Sequence, residues 1–249
     1  MIANLLKDYF HDDNLELERF GSVTNTFRYK DYFIKIFYKK FKSPLNALKE
    51  EFSEKHYIRV KKDIYILVEP FKPGDELKDD ISLDTCNFIN DLKKIHNHKL
   101  KEKDVYSILK KEAILLTKDL PIKGLQEIIG YIKNYNFPKA NVLIHEDIQP
   151  KNIFVIDHKL HLFDYENGRP GHPYDDFSYL FLFSEQYPHL LKKIIDDYFD
   201  GNIPEDFDDL MSHFVILRYL NNLAFSYQNF PKNVLDNNAA IMLEKYVRK

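Results

Sequence analysis

Short runs of alternating apolar and polar positions mark the beginning of the chain as β-rich. The stretches 15–21 (LELERFG), 26–31 (TFRYKD) and 32–38 (YFIKIFY) carry aromatic and β-branched residues, and Lys30-Asp31 predicts a hairpin turn between the last two. Over 43–59 (SPLNALKEEFSEKHYIR) the period lengthens. Leu45, Leu48 and Phe52 recur at helical spacing, with Ser43 as N-cap and Pro44 at the first helical position. A further apolar run, 64–71 (IYILVEPF), predicts a strand, closed by Pro70 and the Pro/Gly punctuation of KPGDEL.

Helical periodicity dominates the rest. In 82–98 (SLDTCNFINDLKKIHNH), Phe88, Leu92 and Ile95 share one face behind Ser82 as cap. Helical patterns recur over 104–118, 124–135, 176–199, 207–229 and 236–247, and one stranded island, 142–163, interrupts them. Internal repeats and low-complexity tracts are absent. The pattern predicts an α+β chain: a small β-rich N-terminal lobe (1–68), a hinge (69–75) and a larger, mostly helical C-terminal lobe (76–249).

Composition narrows the setting. With 44% hydrophobic residues over 249 positions, a sizeable core can form. No apolar stretch approaches the roughly 18–20 residues of a membrane span. The N-terminus MIANLLKDYFHDD lacks a basic region followed by an apolar one, so no secretory signal is expected. Cys86 is the only cysteine, which excludes internal disulfides and cysteine zinc sites and fits a reducing cytoplasm. A net charge of −3 argues against a nucleic-acid partner. The distribution says more: residues 140–210 hold fifteen Asp/Glu against five Lys/Arg, whereas 1–68 hold ten against thirteen. A solvated face accounts for such acids first, but they also suit a metal ion and a cationic substrate.

The acidic stretch contains HEDIQPKNIFV (145–155), a polar kink between the apolar runs NVLI and IFVI, with FDYE following at 163–166. A lone Asp-x4-Asn is an ordinary turn. The full set, in order and after a strand, is the pattern that phosphoryl transfer from ATP requires. Asp147 takes the place of the carboxylate that orients and accepts the proton of an attacking hydroxyl; Asn152 and Asp164 supply oxygen ligands for Mg²⁺ on the phosphates. His145 is read as holding the loop by hydrogen bonds rather than as a proton donor.

Together with GSVTNTF (21–27), FIKIF (33–37), ILVEPFKPG (66–74), LKKIHNH (92–98), LIHEDIQPKNIFV (143–155) and LFDYENGRPGHPYDDFSYL (162–180), these residues give the chain a resemblance to the aminoglycoside phosphotransferase and choline kinase superfamily. That resemblance implies a bilobal protein-kinase-like fold. It further implies that Lys35 contacts the ATP α- and β-phosphates and pairs with a helix glutamate. Glu51, at the margin of the apolar face, is better placed for this than Glu50 or Glu54. Backbone N–H groups of Ser22, Val23 and Thr24 would cradle phosphate, although the single Gly21 departs from the G-x-G-x-x-G of protein kinases. Adenine would bond the backbone of Glu69 and Phe71, Asp176 would brace the catalytic loop, and Tyr165 and Glu166 would line the acceptor pocket.

Protein kinases of this fold open a long activation segment with Asp-Phe-Gly and close it with Ala-Pro-Glu. Here Asp164 leads into Tyr165-Glu166, no Ala-Pro-Glu follows, and Asp176 comes twelve residues later, which favours a small-molecule acceptor. The elements Thr24-Asn25 and Asp164-Tyr165-Glu166 are similar to those of choline and ethanolamine kinases. Lys35 in place of arginine and the absence of tryptophan depart from them, though Tyr or Phe can offer a cation its ring faces. The expected activity is transfer of the ATP γ-phosphate to a hydroxyl of a small cationic molecule. Aminoglycosides, sugars and vitamins stand as alternative acceptors, and a catalytically dead nucleotide-binding module as the non-enzymatic one.

Overall fold

A computed structural model describes residues 2–19, 26–38, 56–61, 64–70, 74–164, 167–230 and 239–248. The chain divides into two compact units, Met1–Asp75 with Tyr165–Asn167, and Glu76–Asp164 with Gly168–Lys249.

In the first unit, helix α1 (Ile2–Phe10) precedes an antiparallel sheet of β1 (Glu18–Arg19), β2 (Thr26–Tyr29), β3 (Tyr32–Tyr38), β4 (His56–Lys61) and β5 (Ile64–Pro70), in the order β1-β2-β3-β5-β4. Strand alternation sorts β3 by face. Ile34 is buried and Ile36 packs with it, against Leu6, Ile66 and Val68, so this face carries α1. Lys35 belongs to the opposite set and stands between Thr26 on β2 and Leu67 on β5. The hairpin turn at Lys30 has φ +51°. Asp12, just past α1, accepts from Lys30 Nζ at 3.1 Å and from the Tyr29 hydroxyl, tying helix to hairpin.

Helix α1 has no counterpart among the sequence expectations, and the strand expected over 15–21 shortens to β1. The helical expectation over 43–59 is corrected at its end, where His56–Lys61 is a strand, because Tyr57 and Ile58 favour the sheet and pair with Leu67 and Ile66. Gly21, Ser22, Val23, Thr24, Asn25, residues 43–55 including Glu51, Phe71, Tyr165 and Glu166 lie outside the described residues. The two-residue strand β6 (Asp75–Glu76) falls at the boundary between the units.

The second unit is built around α7 (Phe207–Asn229), which is buried without a break from Met211 to Leu220. A helix apolar all round belongs in a core. Against it pack α3 (Val105–Thr117), α4 (Leu125–Lys133), α5 (Pro173–Leu182) and a π-helical turn, Leu243–Val247, that continues α8 (Ala239–Met242), while α2 (Cys86–Asn97) and α6 (Pro188–Tyr198) pack on each other. Helix α2 starts at Cys86 behind Thr85 rather than behind Ser82, whose hydroxyl and N–H both bond Asp80. The single helix expected over 176–199 is two, since Pro188 cannot donate an N–H and begins α6 instead.

Strands of this unit carry the kink. Antiparallel β7 (Lys99–Lys103), β8 (Ala140–Ile144) and β11 (Arg169–Gly171) form one sheet in the order β11-β8-β7; β7 and β11 lie outside the expected island of 142–163. Gly171 passes so close to Ile144 that an added Cβ would meet three of its side-chain atoms at 2.4–2.9 Å. β9 (Ile153–Ile156) and β10 (Lys159–Leu162) form a hairpin whose two turn residues, Asp157 and His158, both take positive φ, as a two-residue hairpin loop prefers.

Candidate active site

The segment 145–152 leaves β8, passes through a short 3₁₀ turn at Pro150–Asn152 and enters β9. Its conformation is set by three groups. The first is Asp176, in the first turn of α5 and fully buried. Its Oδ2 accepts from the His145 N–H at 2.7 Å and from His96 Nε2 at 3.0 Å, and its Oδ1 accepts from the Glu146 N–H at 2.7 Å. His96 Nδ1 is then left to the Tyr198 hydroxyl, 2.7 Å away. Asp176 thus holds the loop by its backbone.

The second group is the His145 ring. Its Nε2 donates to the Phe163 carbonyl at 3.0 Å and its Nδ1 receives the Asp147 N–H at 3.3 Å, which assigns the neutral Nε2–H tautomer. Burial lowers its pKa below the ordinary histidine value, against the opposing pull of Asp176, Asp147 and Asp164, so the ring stays neutral. A neutral ring bonded at both nitrogens is a brace.

The third group is Asn152. Its Nδ2 donates to the Asp147 carbonyl at 2.8 Å and to Asp147 Oδ2 at 3.0 Å, while Gln149 Nε2 donates to Asp147 Oδ1. Asp147 is buried, yet each carboxylate oxygen retains further acceptor capacity. Because both Asn152 bonds leave from Nδ2, its Oδ1 points away from Asp147. The Asn152 carbonyl receives the Phe163 N–H at 2.9 Å, so Phe163 is held at both its N–H and its carbonyl. Asp164 follows immediately, at φ +67°, a region that aspartate enters more readily than most residues.

Among the described residues no group of three His, Cys, Asp or Glu could hold a metal by side chains alone. An amide oxygen and a carboxylate do suit a hard cation that completes its shell with phosphate and water. The donor set of Asn152 and Asp164 fits magnesium.

No protein-family model matches the chain, and no curated protein matches it by sequence. Solved structures do match. A choline kinase, LicA from Streptococcus pneumoniae, superposes with a TM-score of 0.64 at 16% identity, over 99% of this chain and 96% of that one. A choline/ethanolamine kinase family protein from Mesorhizobium loti reaches 0.63 at 13% identity, over 100% and 93%. A spectinomycin phosphotransferase in complex with ADP and spectinomycin reaches 0.64 at 16%, over 99% and 92%. The fold is the one these small-molecule kinases share.

Within this kinase-like fold, His145, Asp147, Asn152, Asp164 and Asp176 come from one unit, and all but Asp164 are joined by the bonds just described. Lys35 and the Glu69 backbone belong to the other unit, on paired strands β3 and β5. Sequence reasoning passed over five further residues, His96, Glu146, Arg169, Asp175 and Arg218. His96 supports Asp176 from below. Arg169 on β11 and Arg218 in the middle of α7 flank Asp175 and Glu146. Arg218 had a legible signal: it is the one charge in the apolar run HFVILRYL, and a charge amid such a run needs partners. Burial opposes its charge, but Asp175 and Glu146 outweigh that and raise its pKa well above the ordinary value. Burial also works against the Asp175 carboxylate, and Arg218 with Arg169 overcomes it and draws that pKa down.

Part of the acidic excess of 140–210 is met within the unit. Glu146 and Asp175 face arginines, Asp196 and Asp197 pair with Lys192 and Lys193, Asp200 pairs with Lys93, and Asp176 serves backbone N–H groups. Among the described residues no helix is long and apolar enough to cross a membrane.

Proposed function

We propose that the chain is an ATP- and Mg²⁺-dependent phosphotransferase that moves the γ-phosphate to a hydroxyl of a small cationic molecule of the amino-alcohol class. The observation that carries the reading is the pair of hydrogen bonds that Asn152 Nδ2 donates to Asp147. It couples an acceptor-directed carboxylate to an amide oxygen suited to metal, within one braced loop. Asp147 receives the proton of the attacking hydroxyl and orients its oxygen. Asn152 Oδ1 and the Asp164 carboxylate would hold the metal, which would neutralise charge on the phosphates. Lys35 holds the α- and β-phosphates. His145, neutral and bonded on both sides, keeps the Asp147 N–H and the Phe163 carbonyl in place and takes no proton. The first unit contributes nucleotide contacts at Ser22, Val23, Thr24, Glu51, Glu69 and Phe71.

The choice of acceptor rests on the Thr24-Asn25 and Asp164-Tyr165-Glu166 elements and on the acidic balance of residues 140–210. Equal similarity to a choline kinase and a spectinomycin phosphotransferase keeps an aminoglycoside as the second reading. A cation held by carboxylates and ring faces gains roughly 1–2 kcal/mol per desolvated contact, and salt weakens that attraction where the pocket is open. The test is a panel of choline, ethanolamine, kanamycin, spectinomycin and glucose at fixed Mg-ATP. Choline or ethanolamine should be turned over best, with an acceptor KM that rises with ionic strength more than the KM for ATP. Preferential turnover of glucose would refute a cationic acceptor and leave phosphotransfer intact.

A further inference from the structure

Glu146 stands between His145 and Asp147 at φ +76°, a conformation that glycine adopts freely and glutamate does not. A loop that needed only to turn would have no use for a large acidic side chain there. Its carboxylate is nevertheless drawn inward. Oε1 accepts from Arg218 Nη1 at 2.8 Å, and Oε2 lies in an ion pair with Arg169 Nε. The same two guanidiniums take the two oxygens of Asp175: Arg218 Nη2 reaches Oδ1 at 2.5 Å and Arg169 Nη2 reaches Oδ2 at 2.6 Å. Four side chains therefore close a ring of two positive and two negative charges.

The ring joins the loop at Glu146, β11 at Arg169, the start of α5 at Asp175 and the middle of α7 at Arg218. Arg218 is further held by Ser178 Oγ at 3.3 Å and lies over the Tyr179 ring at 4.1 Å. A buried ion ring is a weak source of stability, because desolvation offsets most of the attraction. Its partners must, however, meet in one geometry. Asp176 fixes the Glu146 N–H and the arginines fix its side chain, so rotation of the loop about this residue is blocked at both ends. The neighbour on the C-terminal side is Asp147.

We infer that Arg218 and Arg169 are positioning residues that act through the Glu146 carboxylate to aim Asp147 at the acceptor hydroxyl. The inference rests on Asp147 having the role proposed above. Neither arginine touches the reacting atoms; each sets where the loop points.

The test is Glu146→Gly, which removes the carboxylate, relieves the positive φ and leaves Asp175 between the two arginines. Transfer is measured with Mg-ATP and the best acceptor of the panel, at equal folded fraction. The kcat should fall about 10–100-fold, the effect of a small misplacement of a reacting group, while the KM for Mg-ATP stays within about twofold. Glu146→Gln, which keeps one oxygen for Arg218, should recover part of the rate. The distinguishing measurement repeats Glu146→Gly on Asp147→Asn. If the ring acts through Asp147, the residual rate there should change by less than about twofold. A Glu146→Gly enzyme with wild-type kcat, or a loss repeated in full on Asp147→Asn, overturns the inference. A wild-type protein that turns over no acceptor overturns the phosphotransfer reading, and the inference with it.

Discussion

Asn152 Nδ2 lies 3.0 Å from Asp147 Oδ2 and 2.8 Å from the Asp147 carbonyl, so one amide group holds both the side chain and the backbone of Asp147. Spacing in the sequence becomes a chemical relationship here. The four residues between them turn the chain back so that the proposed proton acceptor and the proposed metal ligand are hydrogen-bonded to each other.

Asp147→Asn should lower kcat by roughly two to four orders of magnitude while nucleotide binding survives. The substitution removes the proton acceptor but leaves Asn152 Oδ1 and Asp164. Steady-state rates set beside calorimetric Mg-ATP affinity separate the two effects. A near-wild-type kcat would remove Asp147 from the mechanism.

Asp164→Asn should abolish turnover and weaken Mg-ATP binding together, because a neutral amide is a poorer ligand for a hard cation than a carboxylate. Calorimetry with and without magnesium reads this directly. Unchanged Mg-ATP affinity would place the metal on other residues.

The polar kink was legible in the sequence because His145, Asp147 and Asn152 lie within a few positions of one another and need only a local turn. The same holds for β3 and α7, whose limits at Tyr32–Tyr38 and Phe207–Asn229 follow from the period of their apolar positions. Elements stabilised by distant partners were not legible. The residues HYIR continue a helical pattern, yet become strand by pairing with β5. Helix α1 is short, and its apolar face has meaning only against Ile34, Ile66 and Val68. Arg169, Asp175 and Arg218 are far apart in sequence, so no local period could bring them to Glu146.

Asp176→Asn should destabilise the fold by about 2–4 kcal/mol. The carboxylate accepts three bonds, from the His145 and Glu146 N–H groups and from His96, with no exposure to water. An asparagine offers one acceptor oxygen and turns its NH₂ toward a donor. Urea unfolding measures the difference, and a loss well under about 1 kcal/mol would show that the loop is held by something else.

Acid should destabilise the fold well before the carboxylates titrate. Burial holds His145 below the ordinary histidine value of 6.5 and His172 down to about 4. Between pH 6.5 and about 4 the unfolded chain binds protons that the folded chain refuses, so stability rises with pH across that window and is lost as pH falls. His172 alone accounts for about 2–3 kcal/mol. It also caps α5, accepting the Tyr174 N–H at Nδ1. His172→Asn keeps a capping oxygen and removes the titration, so its Tm should fall less between pH 7 and pH 4.5 than that of the wild type. An equal fall in both proteins would assign the acid sensitivity to other groups.

The most direct measurement follows γ-labelled ATP with magnesium, in parallel reactions of wild type and Asp147→Asn, over the panel of amino alcohols, aminoglycosides and glucose. Labelled acceptor is expected in the wild-type reaction alone, dependent on magnesium. Wild-type protein that labels nothing, or Asp147→Asn that labels the same acceptor at the same rate, would contradict it.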